Sequence, residues 1–281
     1  MQPDSVDPSE SAFVGSGAGT AANLPIHIPG RNEAVKFAWS RAESRTRGIH
    51  GFNSLDPRSR SFNLIRAKLT SLARERSWRL LGVVSATPDV GKSFVSANIA
   101  AALSRDPRFQ TYLVDLDLRR GTIKDLFGIE AAQGIARFLR DTKAVSSLPA
   151  FMPAGEELII IPSVPEDVPS AEFLASNRAK AMLHAMRSSD PSNFFIFDLP
   201  PVFANDDAAT VMESLDGYVL IVEDGKTTQQ EIESAIDMLG HEQLGGVILN
   251  KYRGGLLSEG RGIEDRYASR YYRSEPEDVP E

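Results

Sequence analysis

A chain of 281 residues, with 42% hydrophobic and 25% charged residues, has the composition of an ordinary soluble globular protein. It has room for one α/β domain of roughly 200 residues plus extensions. The absence of cysteine excludes a disulfide framework and thiolate metal sites, and a net charge of −7 argues against general nucleic-acid binding.

The first residues, MQPDSVDPSES, lack the basic start and apolar core of a signal peptide. No apolar run approaches the ~18–20 residues needed to span a bilayer, so the expected location is the cytoplasm. Residues 1–55 are rich in Ser, Gly, Pro, Asn and Asp and are expected to form a mostly disordered extension. Basic residues dominate from Arg41 to Arg79, opposed only by Glu43, Asp56 and Glu75. That run reads either as a solvated helix face or as a docking surface for an acidic partner or anionic membrane.

From Ser61 the pattern changes. Phe62, Leu64, Ile65, Leu69 and Leu72 approximate a helical stripe. Strands are then expected at 80–85, 111–116, 157–161, 193–198, 217–223 and 246–250. Helices are expected at 92–103, near 122–127 and 133–140, and at 171–186, 206–213 and 228–239. Most strands are continuous apolar runs, as in a parallel sheet covered on both faces. Strand–helix alternation over 56–253 therefore predicts a doubly wound, mostly parallel α/β sheet. Residues 254–281 are polar and glycine-containing and are expected to form a flexible tail.

The chemistry gathers at strand ends. The stretch Ser85-Ala86-Thr87-Pro88-Asp89-Val90-Gly91-Lys92-Ser93 follows an apolar strand and opens the helix expected at 92–103, which continues through Phe94. Successive backbone N–H groups of such a loop can hold phosphate oxygens. Gly91 permits close backbone approach, Lys92 can reach β and γ phosphates, and Ser93 can ligate Mg²⁺. Ala86 stands where the standard spacing has glycine, which is tolerable if its φ is negative. Asp115 and Asp117 are two apart, so on a strand they share a face. Two such carboxylates suit Mg²⁺ binding and proton acceptance. Asp198 ends another apolar strand, the usual place in a P-loop protein for the carboxylate that holds Mg²⁺ through the ion's outer coordination shell.

The set SATPDVGKS, LVDLDLRRGT, DVPSAEFLASNRAKAML, FIFDLPPVFANDDA and GGVILNK resembles the kinase domain of bacterial tyrosine kinases of capsule and exopolysaccharide assembly, across about residues 60–252. The resemblance implies a P-loop NTPase fold and an ATP- and Mg²⁺-dependent protein-tyrosine autokinase. Lys92 and Ser93 would be the first Walker residues, within a nucleotide loop from Pro88 to Phe94. Asp115 and Asp117 would form the family's extra Walker motif, with Asp115 the base toward a tyrosine hydroxyl. Asp198 would be the Walker B acid, sharing the metal with Ser93 and Asp117. Tyr267, Tyr271 and Tyr272 would be autophosphorylation sites. The implied partners are a membrane chain-length regulator of polysaccharide export, recruiting the chain to the inner membrane face, and further copies of the chain.

Two features depart from the family. Its Glu-x-x-Arg-x-x-Arg assembly segment matches Arg60 to Arg66 here, with arginine for the glutamate, Asn63 for the first arginine, and only Arg66 kept. The tail holds only three tyrosines. A degenerate regulatory ATPase of the same assembly is therefore the alternative. A partitioning-type ATPase is disfavoured, because Thr87 occupies the place of that group's signature lysine.

Overall fold

The computed structural model describes residues 25–140, 146–166 and 169–252. Its strands are β1 (Val35–Phe37), β2 (Leu80–Ser85), β3 (Gln110–Asp115), β4 (Phe151–Pro153), β5 (Leu158–Ile161), β6 (Asn193–Asp198), β7 (Gly217–Glu223) and β8 (Leu244–Asn250). Its helices are α1 (Arg41–Thr46), α2 (Arg60–Arg76), α3 (Lys92–Leu103), α4 (Thr122–Phe127), α5 (Ile135–Arg140), α6 (Ser170–Ala175), α7 (Asn177–Ser188), α8 (Asp207–Met212) and α9 (Gln229–Leu239). One eight-stranded sheet runs in the order β1-β4-β5-β3-β6-β2-β7-β8. Every pairing is parallel except β4 with β5.

Period-two alternation divides the core into two layers. Leu81 and Val83 of β2, Phe194 and Ile196 of β6, and Leu158 and Ile160 of β5 pack with α2, α3 and α4. Leu80, Val84, Phe195, Phe197, Ile159 and Ile161 pack with α5 to α9. This two-sided cover explains why the central strands read as unbroken apolar runs. It also makes the fold the doubly wound one expected. α3 is apolar on nearly all sides and buried from Val95 to Leu103, because α2, α4 and the turn His50–Phe52 surround it.

Three expectations need correction. First, residues 25–55 are not a structureless extension: β1 pairs with β4, α1 is capped by Ser40, and Ile49 is fully buried. Buried Asn98 of α3 holds this segment by three hydrogen bonds and bonds once to its own helix. Its Oδ1 accepts from the His50 and Gly51 amides, and its Nδ2 donates to the Gly48 and Phe94 carbonyls. Gly51 sits so close to α3 that a Cβ there would lie 2.2 Å from the Asn98 carbonyl oxygen. Second, the single helix expected at 171–186 is two. Ser176 is extended and caps α7 by accepting from the Ala179 amide. Third, the six strands expected are joined by two more among the described residues: β1 and β4, three residues each, carry too little pattern to be read locally. Residues 1–24 and the tail tyrosines lie outside the described residues.

Candidate functional site

β3, β6 and β2 are adjacent and parallel, so Ser85, Asp115 and Asp198 arrive at one sheet edge. Open α/β sheets bind ligands at this carboxyl edge. Asp115 and Asp198 are direct register partners, and Val83 lies opposite Asp198 on the other side.

The loop after β2 turns through two left-handed residues, Asp89 at φ 65° and Gly91 at φ 86°. Aspartate is among the few side chains that tolerate that region. Ala86 is not among the positive-φ residues, so no glycine is required there. It is buried, and its carbonyl accepts from the Phe203 amide at 3.1 Å. Next to it, the Ser85 carbonyl accepts from the Val202 amide at 2.8 Å.

Asp198 is fully buried and organises the loop's chemistry. Lys92 Nζ donates to its Oδ1 at 2.8 Å and Ser93 Oγ to its Oδ2 at 2.6 Å. Ser96 Oγ donates to Oδ1 at 2.7 Å. A buried carboxylate is tolerated when paired and hydrogen-bonded in this way. Thr122 Oγ1 donates to Ser93 Oγ at 2.8 Å, adding α4 to the cluster.

Asp115 and Asp117 do not occupy equivalent places. β3 ends at Asp115, which is fully buried. Its oxygens accept from the amides of Asp117 at 3.1 Å and Ile123 at 3.2 Å. Burial, reinforced by neighbouring Asp198, pushes its carboxyl well above the usual range. Asp117 lines the open cleft, and burial raises its carboxyl too, opposed by the charge of Lys92.

Pro88, Asp89, Gly91, Lys92, Ser93 and Phe94 line the same cleft. Val90 faces inward, and its carbonyl accepts from Asn250 Nδ2 at 2.8 Å. Arg120 crosses the cleft mouth to pair with Asp89 at 2.7 Å, holding the Asp89 carboxyl below its usual range. Lys251 donates to the Asp89 carbonyl at 2.6 Å and pairs with Glu223 at 3.1 Å.

Sequence reasoning missed Ser96, Thr122, Arg120, Asn250 and Lys251. Ser96 was findable, since it lies one helical turn beyond Lys92 and so on the same face. The others reach the site through tertiary contacts with no local signal. The oxygen donors of Ser93, Asp117 and Asp198 suit a hard cation such as Mg²⁺, which binds few protein ligands and completes its shell with phosphate and water.

The family model of the CobQ/CobB/MinD/ParA nucleotide binding domain matches residues 81–272. The tyrosine-protein kinase etk of Escherichia coli is 31% identical over 214 residues, covering 73% of this chain and 28% of that protein. The tyrosine-protein kinase YwqD of Bacillus subtilis is 29% identical over 195 residues, covering 68% of this chain and 80% of that one. The solved kinase domain of Escherichia coli tyrosine kinase ETK matches with a TM-score of 0.64 at 26% identity, over 76% of this chain and 84% of that one. The chain spans a little over a quarter of the length of etk. A P-loop joined to buried Asp198, in a sheet of this topology, places the chain in the CobQ/CobB/MinD/ParA nucleotide-binding family, where its similarity is to the bacterial tyrosine kinases.

Proposed function

We propose that this chain is an ATP- and Mg²⁺-dependent protein-tyrosine kinase of the bacterial type, serving exopolysaccharide or capsule polymerisation and export. One observation carries the proposal: two aspartates with raised proton affinity, Asp115 and Asp117, stand beside the Lys92–Asp198 pair at one sheet edge. Carboxylates so placed can receive the phenolic proton that tyrosine phosphorylation releases.

In the proposed reaction, the tyrosine oxygen bonds to the γ-phosphorus and the bond from that phosphorus to the β–γ bridging oxygen breaks. ADP leaves, and the phenolic proton passes to a carboxylate. A group with raised pKa suits that base role. Asp115 has the more buried carboxyl, and Asp117 is the one that faces the cleft. Loop amides and Lys92 hold the phosphates, which requires Lys92 to turn from Asp198 toward the nucleotide. Ser93 and Asp198, with Asp117 alongside, would hold Mg²⁺, whose charge offsets that of the phosphates.

Tyr267, Tyr271 and Tyr272 are the proposed acceptors, modified between copies of the chain. No helix among the described residues is long and apolar enough to cross a membrane. From the similarity to the bacterial tyrosine kinases, a membrane chain-length regulator is proposed to bring copies together at the inner membrane face. A second reading, a regulatory ATPase with little kinase activity, draws on Asn63. This residue stands where the family has an assembly arginine. Here it serves its own chain, donating to the Ser54 carbonyl at 3.3 Å and accepting from Arg105.

The test mixes an active chain lacking residues 255–281 with a full-length Lys92→Met chain, the partner's cytoplasmic fragment being present. Mass spectrometry then maps phosphotyrosine. Phosphate on the inactive chain at the three tail positions supports the kinase. An unmodified tail beside ATP hydrolysis moves the assignment to the regulatory ATPase.

A further inference from the structure

Outside the nucleotide cleft, a buried polar cluster among the described residues remains without a role. Ser170 is the first residue of α6 and is fully buried. Its Oγ donates to Asp207 Oδ2 at 2.7 Å and accepts from Arg119 Nε at 3.0 Å. Asp207, only 1% exposed, also accepts from Asn205 Nδ2 at 2.7 Å on the same oxygen. Its Oδ1 is buried and has no hydrogen-bond partner among the described residues. A buried carboxylate so incompletely satisfied is costly, and packing alone would favour an apolar residue.

The position of the cluster supplies a reason to keep it. Arg119 lies in the Asp117–Arg120 loop, which carries the cleft-facing carboxylate. Asp207 opens α8, at the end of the segment running from Asp198. That segment is already tied to the phosphate loop by the Val202 and Phe203 amides. Ser163 and Pro165, just after β5, lie against Gly121, the residue that follows the Asp117–Arg120 loop. A Cβ at Gly121 would lie 2.8 Å from Pro165 Cδ and 2.9 Å from the Ser163 carbonyl oxygen. Phosphate loop, β6 segment, α6 and aspartate loop thus form a closed circuit, and among the described residues Ser170 is the side-chain link between Arg119 and Asp207.

We propose that Ser170 is a positioning residue: with Arg119 and Asp207 it forms a relay that holds the Asp117 loop in register with Asp198 and Lys92. It touches no substrate. The relay rests on the kinase reading only for the identity of the reaction it serves. Displacement of reacting groups by about 1 Å can cost roughly a hundredfold in rate, so loss of the relay is expected to lower kcat far more than it raises the KM for ATP.

The experiment uses the full chain as wild type, Ser170→Ala, Ser170→Thr, Arg119→Ala and the Ser170→Ala/Arg119→Ala double variant. Arg119 is exposed, so its variant is expected to fold even if Ser170→Ala does not. Hydrogen–deuterium exchange of residues 116–123, without nucleotide, reads the loop directly. Turnover of ATP and tyrosine phosphorylation are measured alongside. Both single variants are expected to speed exchange in that loop and lower kcat roughly ten- to a hundredfold. The double variant is expected to be no worse than either single one, because both cut the same link. Ser170→Thr, which keeps the hydroxyl, is expected to restore much of the loss. Unchanged loop exchange in Arg119→Ala, or additive losses in the double variant, would overturn the relay. Faster exchange and reduced ATP hydrolysis in a chain that phosphorylates no tyrosine would uphold the relay and defeat the kinase assignment.

Discussion

β6 and β8 run parallel, and each ends on a polar residue that reaches the phosphate loop, yet they do different work. β6 is buried along its whole length, and Asp198 at its end meets the side chains of Lys92, Ser93 and Ser96. β8 is an edge strand with Val247 and Leu249 half exposed, and Asn250 at its end meets only a backbone carbonyl of the loop. The central strand supplies charge in a dry setting, where electrostatic interactions are strong. The edge strand supplies a brace that fixes loop shape, and the charge that follows it, Lys251, meets the loop at the Asp89 carbonyl and pairs with Glu223. Chemistry at the centre and support at the edge follow from the dielectric gradient across the sheet.

The largest expected effect is at the centre. Lys92→Met removes the cation from a buried pair and is expected to lower turnover by at least 10²–10³-fold, the loss typical of one electrostatic donor. Because Asp198 is left with only the two serine donors, a stability loss of about 3–5 kcal/mol is also expected. Denaturant unfolding and ATP turnover check both. Asp198→Asn in the same background should recover part of the stability and none of the activity.

Next comes Gly91→Ala, where centre and edge meet. Its φ of 86° costs a side chain about 1–2 kcal/mol. The added Cβ would also lie 2.4 Å from Asn250 Nδ2 and so expel the brace. Weakened nucleotide binding is expected in equilibrium titration. Wild-type affinity would break the proposed coupling between β8 and the loop.

Asp115→Asn and Asp117→Asn sharpen the comparison through pH. Both carboxyls hold protons more tightly folded than unfolded. Below the unfolded value near 3.9 both states are protonated and this stabilisation is complete. It is lost as pH rises through the raised folded value, where the fold must ionise a buried group. The melting temperature of Asp115→Asn minus that of wild type is therefore expected to grow as pH rises from about 4 toward neutrality. A gap that is flat in pH would mean that Asp115 is ionised at no cost. Each variant is expected to lose most phosphotransfer, and Asp115→Asn is expected to keep nucleotide binding.

The smallest effect is expected at the edge. Asn250→Ala leaves the Val90 carbonyl without its donor and should cost about 1 kcal/mol. The KM for ATP should rise modestly at unchanged kcat. A kcat loss as large as that of Lys92→Met would erase the distinction between the two strands.

Much of this protein was determined locally. The apolar runs of β2, β3 and β6, the helix opening at Lys92, and the acids at 115, 117 and 198 were legible because burial on two faces and a phosphate loop each impose a short-range pattern. The tertiary structure alone decided the rest. Strand order brought Asp115 into register with Asp198, and parallel pairing between distant segments leaves no mark on either strand's own sequence. β1, three residues long, became a strand only because β4 offered an edge, and Asn98 captured the segment around Gly51 from 47 residues away. The same holds for Ser170, whose hydroxyl bonds Arg119 and Asp207 across 51 and 37 residues. Periodicity reports whether a face is buried, while hydrogen-bond partners are chosen by where the folded chain places them.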